Sequence, residues 1–505
     1  MSTGTQDPLP PFTLPTPPRR KWPLLVVVVV LLAAAAFGGV AIYDHLQSCG
    51  HGVDKTGSAD ECIGVSDGSF TFEKSLRPVM AKILAENKRV KNANRPWVSV
   101  AYVEPITTDP NQEAIKYGIK EELEGAYLAQ RQLNDAQLGG RGDLPQIRLL
   151  VANIGLRSEQ WKPLTDKLIA MTKDGNHLVA VAGFGQSRGG TLDAVKALRA
   201  AKVPMMGATV TADGLASADE VGFFSTSSPN ADQASGAAGY LRQQQTAKPG
   251  YKVLVVRDRN EDDIYNTSLF TDFTRAAAKK QLALMSGDLG YISGIDGSIS
   301  NDLSSVADRV CDKKPDAVFF AGRGVDLRGF ITAMSAAGRR CPVTVLTGDD
   351  AVGVYYDASV SDATRRQFQA DWRVSGVTAL YTALGHPELP GLLYKPANNP
   401  YTGFRTLYHQ EFGGTGDDDF QDGQVILAHD ALWTLGVAIR DAAGDGGTVP
   451  VTSGSTLNAL LSGQPVSGVS GPIDLGPAGN PQNKPMALVK LEPNGRYTFQ
   501  AVVRP

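Results

Sequence analysis

The sequence has no excess of basic residues, and this lack excludes a large class of partners. Its 505 residues include 49 Lys and Arg against 52 Asp and Glu, a formal net charge of -3. A protein that neutralises nucleic-acid phosphates needs a basic surplus, so we expect no nucleic-acid partner. Aromatic residues are also scarce, at 7%, while hydrophobic residues make up 42% of the chain. This balance is typical of an α/β protein rich in small apolar residues.

Cysteine is equally rare. The four cysteines, Cys49, Cys62, Cys311 and Cys341, form two pairs that are local in the sequence. Metal-binding cysteines usually occur at C-x-x-C spacing or beside a histidine cluster, and neither is found here, so we expect no metal and no cofactor. The pattern instead predicts two disulfides and an extracytoplasmic compartment. Four buried free thiols are the alternative.

A long stretch without charge lies near the N-terminus. Residues 24–42 are uncharged and close to the ~20 residues that span a bilayer core, and Trp22 and Tyr43 flank them as interfacial aromatics. We therefore predict a disordered Pro-rich tail at 1–21 and a transmembrane helix at 22–43. Three cations precede the span, so the positive-inside rule places the tail in the cytoplasm and the bulk of this single-pass chain outside.

Two alternatives remain open for this segment. One is a cleavable signal peptide with Gly39-Val40-Ala41 as its cleavage site, although the apolar run exceeds the ~7 to 15 residues usual for such peptides. The other is acylation at Cys49, although Gln47 fits an acylation site poorly and Asp44 and His45 separate it from the apolar run.

Residues 44–95 are predicted to form an extracytoplasmic stalk. Between residues 72 and 90, Leu76, Val79 and Ile83 recur at helical spacing. This short helix either packs on the main domain or acts as a spacer.

From residue 96 onward, short apolar runs alternate with amphipathic stretches. Runs without polar alternation predict parallel strands covered on both faces. The alternation breaks and restarts at residues 223–230, and the chain exceeds the ~250 to 300 residues of a single core. We therefore predict two lobes, each a doubly wound, mostly parallel sheet.

The segments after residue 350 are too few for a third domain, so we expect them to complete the two lobes. We assign residues 96–226 and 353–470 to lobe 1, and residues 227–352 and 471–505 to lobe 2. Repeated crossings between lobes make a hinge. Since open α/β sheets bind ligands beyond the carboxyl ends of their strands, we expect the site in a cleft between the lobes.

Four predicted loops carry the candidate ligand-binding residues. These residues are Ser187, Ala208, Thr209, Tyr265 and Asp350. The order of elements and these loops resemble the leucine/isoleucine/valine-binding protein family. The resemblance covers about four fifths of the chain. It implies the α/β two-lobed type 1 periplasmic-binding fold, preceded here by the predicted transmembrane helix, and a role as a substrate-binding protein for an ABC transporter.

The resemblance also implies a role for each residue. Ser187, the backbone of Ala208 and the hydroxyl of Thr209 would hold the anionic end of an amino acid or similar zwitterion. Asp350 would pair with its ammonium, and Tyr265 would close over it. A carboxylate is independently favoured at a helix N-terminus, where amide groups and the helix dipole stabilise it. Taken alone, Ser187 and Thr209 are equally explained as helix caps, Asp350 as a cap or turn residue, and Tyr265 as a packed surface aromatic.

The sequence departs from the family pattern at two positions. Asn266 follows Tyr265 where glycine is usual, and Arg188 stands where small hydroxyl residues are common. Arg188 either adds an anionic contact or blocks a bulky apolar ligand, so the ligand is not fixed. The expected partner is an ABC permease or a membrane signalling protein.

An α/β-hydrolase is the alternative function. Residues 185–189 satisfy G-x-S-x-G between a strand and a helix, and Asp350 with His386, His409 or His429 would complete a triad in the right order. No HGG-type oxyanion segment precedes Ser187, however, and two of the histidines fall in helical stretches. We therefore expect a binding protein and no enzyme.

Overall fold

The computed structural model describes residues 1, 4, 48–107, 118–139, 144–294, 298–339, 341–355 and 360–505. The chain divides into two compact units, residues 1–49 and residues 50–505. The tail predicted at 1–21 lies outside the described residues apart from residues 1 and 4, and the helix predicted at 22–43 lies wholly outside them. Within the described part of the chain, no helix combines the length and apolarity needed to cross a membrane.

The first sheet organises lobe 1. Its strands are β1 (Ser48–Gly50), β2 (Val53–Thr56), β3 (Glu61–Ser66), β4 (Trp97–Glu104), β5 (Gln146–Asn153), β6 (Leu178–Gly183), β7 (Met205–Gly207) and β8 (Phe223–Ser225). The eight strands described lie in the order β1-β2-β3-β5-β4-β6-β7-β8, and β4 pairs in parallel with both β5 and β6. All residues of β5 and β6 are buried, as expected for strands with both faces covered.

The second sheet organises lobe 2. Its strands are β9 (Val253–Asp258), β10 (Leu289–Tyr291), β11 (Ala317–Ala321), β12 (Val343–Thr347), β13 (Val377–Ala383), β16 (Met486–Leu491) and β17 (Tyr497–Val503). They lie in the order β10-β9-β11-β12-β13-β16-β17, parallel as far as β13 and antiparallel at the last two. A separate hairpin joins β14 (Val466–Gly468) to β15 (Gly471–Ile473).

Helices cover both sheets. In chain order they are α1 (Arg77–Asn92), α2 (Ile119–Leu133), α3 (Ala136–Gly139), α4 (Trp161–Met171), α5 (Gly189–Ala200), α6 (Asn230–Ala247), α7 (Ile264–Lys279), α8 (Ile299–Lys313), α9 (Gly324–Met334), α10 (Asp362–Ser375), α11 (Leu389–Leu393), α12 (Pro400–Phe412), α13 (Gln424–Ala443) and α14 (Ser453–Ser462). Helices α2 and α13 pack so closely that a Cβ at Gly125 would lie 2.1 Å from the carbonyl oxygen of Val425. The chain thus returns to lobe 1 after building most of lobe 2.

The two-lobed α/β architecture predicted from the sequence is confirmed, but one predicted boundary is wrong. Residues 353–470 were predicted to lie in lobe 1 as a block, whereas β13 pairs in parallel with β12 in the second sheet. In the second sheet, β13 also pairs antiparallel with β16, so it connects the parallel strands to the last two strands of that sheet. The return to lobe 1 therefore comes after Ala383.

Residues 50–95, most of the segment predicted as a stalk, are part of lobe 1. Strand β3 pairs antiparallel with β5 and so covers what would otherwise be an unpaired sheet edge. Helix α1 buries Val79, Met80 and Ile83 in the same apolar cluster as Leu123 of α2. Of the two roles considered for this helix, packing on the main domain is the one observed.

The predicted disulfide chemistry is confirmed. Cys311 and Cys341 are bonded with a Cα–Cα distance of 5.6 Å, and they link α8 to the segment before β12. Cys49 and Cys62 are also disulfide-bonded, and no cysteine is free.

A buried lysine connects two of the chain crossings between the lobes. Lys484 precedes β16, is 1% exposed, and donates to the carbonyl oxygen of Thr226, just after β8. It also donates to Ser470 Oγ at 2.7 Å, and that hydroxyl donates to the buried carboxylate of Asp430 at 2.6 Å. Burial lowers the pKa of Lys484 to about 8, so it is mostly charged at neutral pH. A charged hydrogen-bond donor therefore joins these two crossings, which form the hinge.

Replacing Lys484 with Met is expected to lower the free energy of unfolding by about 2 kcal/mol at neutral pH, because the carbonyl of Thr226 loses its charged donor in a buried place. Denaturant titration measures the change. Lys490→Met is the matched control, since Lys490 is 35% exposed and pairs with Glu492 at the surface. Equal losses in both variants would show that the hinge contacts are not stabilising.

Candidate ligand-binding cleft

A cleft of about 1050 Å³ lies between the two lobes. Its lobe 1 wall includes Glu104 at the end of β4, Glu122 on α2 and the loop from Gly185 to Arg188 after β6. Its lobe 2 wall includes Tyr265 at the start of α7 and the loop after β12. Most of these groups follow strand carboxyl ends, which is where an open α/β sheet forms its ligand sites.

Four of the five predicted ligand residues line this cleft, namely Ser187, Thr209, Tyr265 and Asp350. Ala208 does not contribute to the wall, because it is fully buried and its backbone groups are already used. Its N–H donates to the carbonyl oxygen of Gly183 at 3.3 Å, and its own carbonyl accepts from the Ser227 hydroxyl. The predicted backbone contact at Ala208 is therefore not supported.

The two hydroxyls of lobe 1 already have protein partners. Ser187 Oγ accepts from the amides of Thr211 and Ala212, both at 3.1 Å, and so joins its loop to the segment after β7. It still has its own proton to donate. Thr209 Oγ1 lies 3.0 Å from Glu122 Oε1 and 3.0 Å from the carbonyl oxygen of Gly185. Both residues act as local structural links as well as cleft residues.

Arg323 was not predicted as a site residue, and its guanidinium lies at the centre of the site. It follows β11 and is 4% exposed. Nε and Nη2 donate to the two carboxylate oxygens of Asp263 at 2.9 Å, and Nη1 donates to Asp350 Oδ1 at 3.1 Å. Nη2 also reaches across the cleft to the carbonyl oxygen of Ser187 at 2.7 Å. The guanidinium carbon lies 4.5 Å from the centre of the Tyr265 ring.

This geometry alters the role predicted for Asp350. The carboxylate that would pair with a ligand ammonium accepts from Arg323 and, at 2.8 Å, from the amide of Gly324. Arg323 thus contacts three of the predicted ligand residues at once: Ser187, Tyr265 and Asp350. The chain's own cation occupies the place that the resemblance assigns to the cation of the ligand.

Arg188 extends this arrangement into lobe 1. Its Nη1 donates to Asp263 Oδ2 at 2.7 Å, so Asp263 is shared by an arginine from each lobe. We call Arg188, Asp263, Arg323 and Asp350 the interlobe ion network. Burial acts to raise the pKa of Asp263, but Arg323 and Arg188 outweigh it and the pKa is lowered. Burial and the nearby Arg323 lower the pKa of Arg188 to about 10, so Arg188 remains charged at neutral pH.

A second cluster in the cleft consists of two buried carboxyl groups, Glu104 and Glu122, which we call the glutamate pair. Glu104 is 1% exposed and Glu122 is 4% exposed. Tyr102 donates to Glu122 Oε2 at 2.7 Å. Burial and the charge of Glu122 raise the pKa of Glu104 well above its ordinary value, and burial raises the pKa of Glu122 to about 7. At neutral pH the pair therefore retains at least one proton.

The sequence offered a signal for some of these residues. Glu104 and Arg323 each come at or just after the carboxyl end of a predicted strand, the position used to select Ser187 and Asp350. Glu122 lies inside an amphipathic helix, where a charged residue is ordinarily solvated. Nothing local distinguishes it from its neighbour Glu121.

The hydrogen bonds do not support the hydrolase alternative. Ser187 Oγ accepts from two amides, and Asp350 pairs with Arg323. The three candidate histidines have partners elsewhere: Glu388 for His386, Gly416 for His409, and Gln132 and Asp430 for His429. Burial also lowers the pKa of His386 to about 4, far from the range of a general base at neutral pH.

Replacing Arg323 with Met is expected to lower the free energy of unfolding by about 3 kcal/mol, because it leaves the buried carboxylate of Asp263 with one cation fewer. Denaturant titration of the full chain measures this loss. Arg365→Met is the matched control, since its partner Asp362 is 71% exposed, and it should cost less than about 1 kcal/mol. A loss at Arg323 no larger than the control would contradict the importance of the network.

Solved structures share this fold. The substrate-binding protein of an ABC transporter from Desulfitobacterium hafniense, in complex with Leu, matches with a TM-score of 0.58 and 16% identity, over 81% of this chain and 100% of that one. The branched-chain amino acid transporter substrate-binding protein of Streptococcus pneumoniae, in complex with isoleucine, matches with a TM-score of 0.58 and 16% identity, over 81% and 99%. A leucine-binding protein from Thermotoga maritima matches with a TM-score of 0.57 and 17% identity, over 81% and 99%.

No curated protein sequence matches the chain significantly. The sequence model of a family described as periplasmic binding protein, however, matches residues 116–496, which include most of both lobes and the cleft between them. Together with the shared two-lobed fold, this match shows that the chain belongs to the periplasmic binding protein family.

Proposed function

We propose that this protein binds a small polar, amino-acid-like ligand between its lobes and delivers it to an ABC-type transporter. The observation that carries the proposal is the cleft of about 1050 Å³, walled by charged and hydroxyl groups from both lobes. Its volume is slightly above the range usual for small-molecule sites, roughly 300 to 1,000 Å³, so it has room for the ligand and ordered water. The similar solved structures include proteins in complex with leucine and isoleucine.

Walls lined by charged and hydroxyl groups favour a polar ligand such as a zwitterion over an apolar one. Thr209 and the free proton of Ser187 offer hydroxyl groups on lobe 1, while Tyr265 and the loop of Asp350 face them from lobe 2. The ligand would add contacts between the lobes and so shift an equilibrium between open and closed forms toward the closed form.

We also propose that residues 22–43 anchor the protein in the cell membrane, with the N-terminus in the cytoplasm and the two lobes outside. The uncharged run at 24–42 and the three cations before it support this topology. The four cysteines, all disulfide-bonded, agree with an oxidising compartment for the lobes. A tethered binding protein suits the capture of ligand for a neighbouring permease, and it equally suits a sensor that reports the ligand to a membrane partner.

Thermal unfolding of the full chain with each proteinogenic L-amino acid tests the ligand class. At a concentration of about 100 times Kd, a bound amino acid should stabilise the folded protein by about 2.7 kcal/mol and raise its Tm. Thr209→Val, which removes one hydroxyl from the cleft wall, should reduce that shift, while Thr271→Val, on the exposed side of α7, should not. No Tm shift with any amino acid would refute the proposed ligand class.

Fractionation of expressing cells tests the anchor. The full chain should remain in the membrane pellet after alkaline carbonate washing, because a spanning apolar helix resists such extraction. A variant that lacks residues 24–42 should be soluble. Release of the full chain by the wash would exclude a membrane-spanning segment at 22–43.

A further inference from the structure

The cation of a zwitterionic ligand needs a negatively charged partner that the protein itself has not neutralised. Asp350 is not such a partner, because Arg323 and the amide of Gly324 already occupy its carboxylate. Asp263 is paired with two arginines. The acidic groups of the network are thus compensated internally, and another part of the cleft must supply the contact for the cation.

The glutamate pair differs from the interlobe ion network because its acidic groups are not paired with cationic side chains among those that the structure describes. Among the described residues, no Lys, Arg or His forms an ion pair with Glu104 or Glu122. The neutral donors near Glu122 are the hydroxyls of Tyr102 and Thr209. Glu104 Oε1 is buried and has no hydrogen-bond partner within the described part of the chain. Glu104 and Glu122 also hydrogen-bond each other through a shared proton, and a cationic ligand that displaced this proton would take its place between the two carboxyl groups.

The loop after β6 lies directly against the glutamate pair at the wall of the cleft. Gly185 has φ of 57°, a conformation that favours glycine, and a Cβ there would lie 2.8 Å from Glu104 Oε2 and 2.4 Å from Pro105. Glycine therefore allows the loop after β6 to lie directly against the carboxylate. Glu104, Glu122, Gly185 and Thr209 all line the cleft.

Two carboxyl groups buried side by side must either share a proton or bind a cation between them, because both cannot be ionised without compensation. An ammonium group can donate to both carboxylates and to the carbonyl oxygen of Gly185. We infer that the glutamate pair on lobe 1 is the subsite for the ammonium of the ligand, and that Arg323 permanently fills the subsite beside Asp350. This inference rests on the proposed function and specifies how the cleft orients its ligand.

Binding of an ammonium at this subsite should displace a proton held by the pair. The titratable groups that face Glu122 are Tyr102 and Glu104 on β4, Glu121 on its own helix and Asp422 before α13. Burial raises the pKa of Asp422 to about 7 as well, so it titrates in the same pH range. Affinity should increase as the pH rises through about 7 and the pair loses the proton that competes with the ligand.

Calorimetric titration of the full chain with L-amino acids tests the inference. For the amino acid that binds most tightly, Glu104→Gln and Glu122→Gln should each weaken binding at least about tenfold, because a desolvated charge pair is lost. The same acid without its amino group should bind weakly to the wild type and to both variants alike. Glu124→Gln is the matched control, since Glu124 is buried on the same helix but pairs with Lys120 and Tyr408.

Wild-type protein alone supplies a second measurement, which is decisive if the variants fail to fold. From about pH 6 to about pH 8 the affinity should rise about tenfold, with about one proton released on binding at the lower pH, as shown by titration in buffers of different ionisation enthalpy. Tight binding by the deaminated acid, unchanged binding in both Gln variants, or binding without proton release would overturn the subsite. Failure of every amino acid to bind wild type would instead overturn the proposed function, and the subsite with it.

Discussion

A guanidinium buried between two lobes is the interaction on which the rest of the cleft depends. Arg323 cannot lose its charge in a protein, so its burial requires carboxylates placed around it. Asp263 supplies a bidentate contact and Asp350 a second one, while the carbonyl of Ser187 adds a contact from the opposite lobe. Each of these groups is thereby fixed in position. Charged side chains thus form contacts between the two lobes in the cleft.

Such a network divides the cleft into two electrostatic regions. Around Arg323 the charges compensate one another, and a ligand ion there would have to displace a buried pair at considerable cost. Around the glutamate pair, no Lys, Arg or His of the described residues forms an ion pair with either carboxyl group, and retained protons reduce the negative charge. How a ligand is oriented in this cleft depends on which of these two regions accepts its charges. Similarity of fold at 16% identity does not determine this choice, because the choice depends on side chains.

A buried charged side chain also connects the segments that cross between the lobes. Lys484 joins the crossing after β8 to the one before β16, and its partner Ser470 is held by Asp430 on the helix that packs against α2. Hydrogen bonds therefore connect these elements of the two lobes.

The sequence by itself determined the alternation of strands and helices, the division into two lobes, the paired cysteines and the position of Ser187 and Asp350 at strand ends. These features depend on periodicity and spacing, which are local properties. Only the tertiary structure decided which lobe receives β13, that α1 packs on the main domain, that Arg323 meets Asp350, and that Glu104 lies beside Glu122. Each of these depends on which distant segment packs alongside, and a charged residue carries no local mark of the partner that folding will place against it.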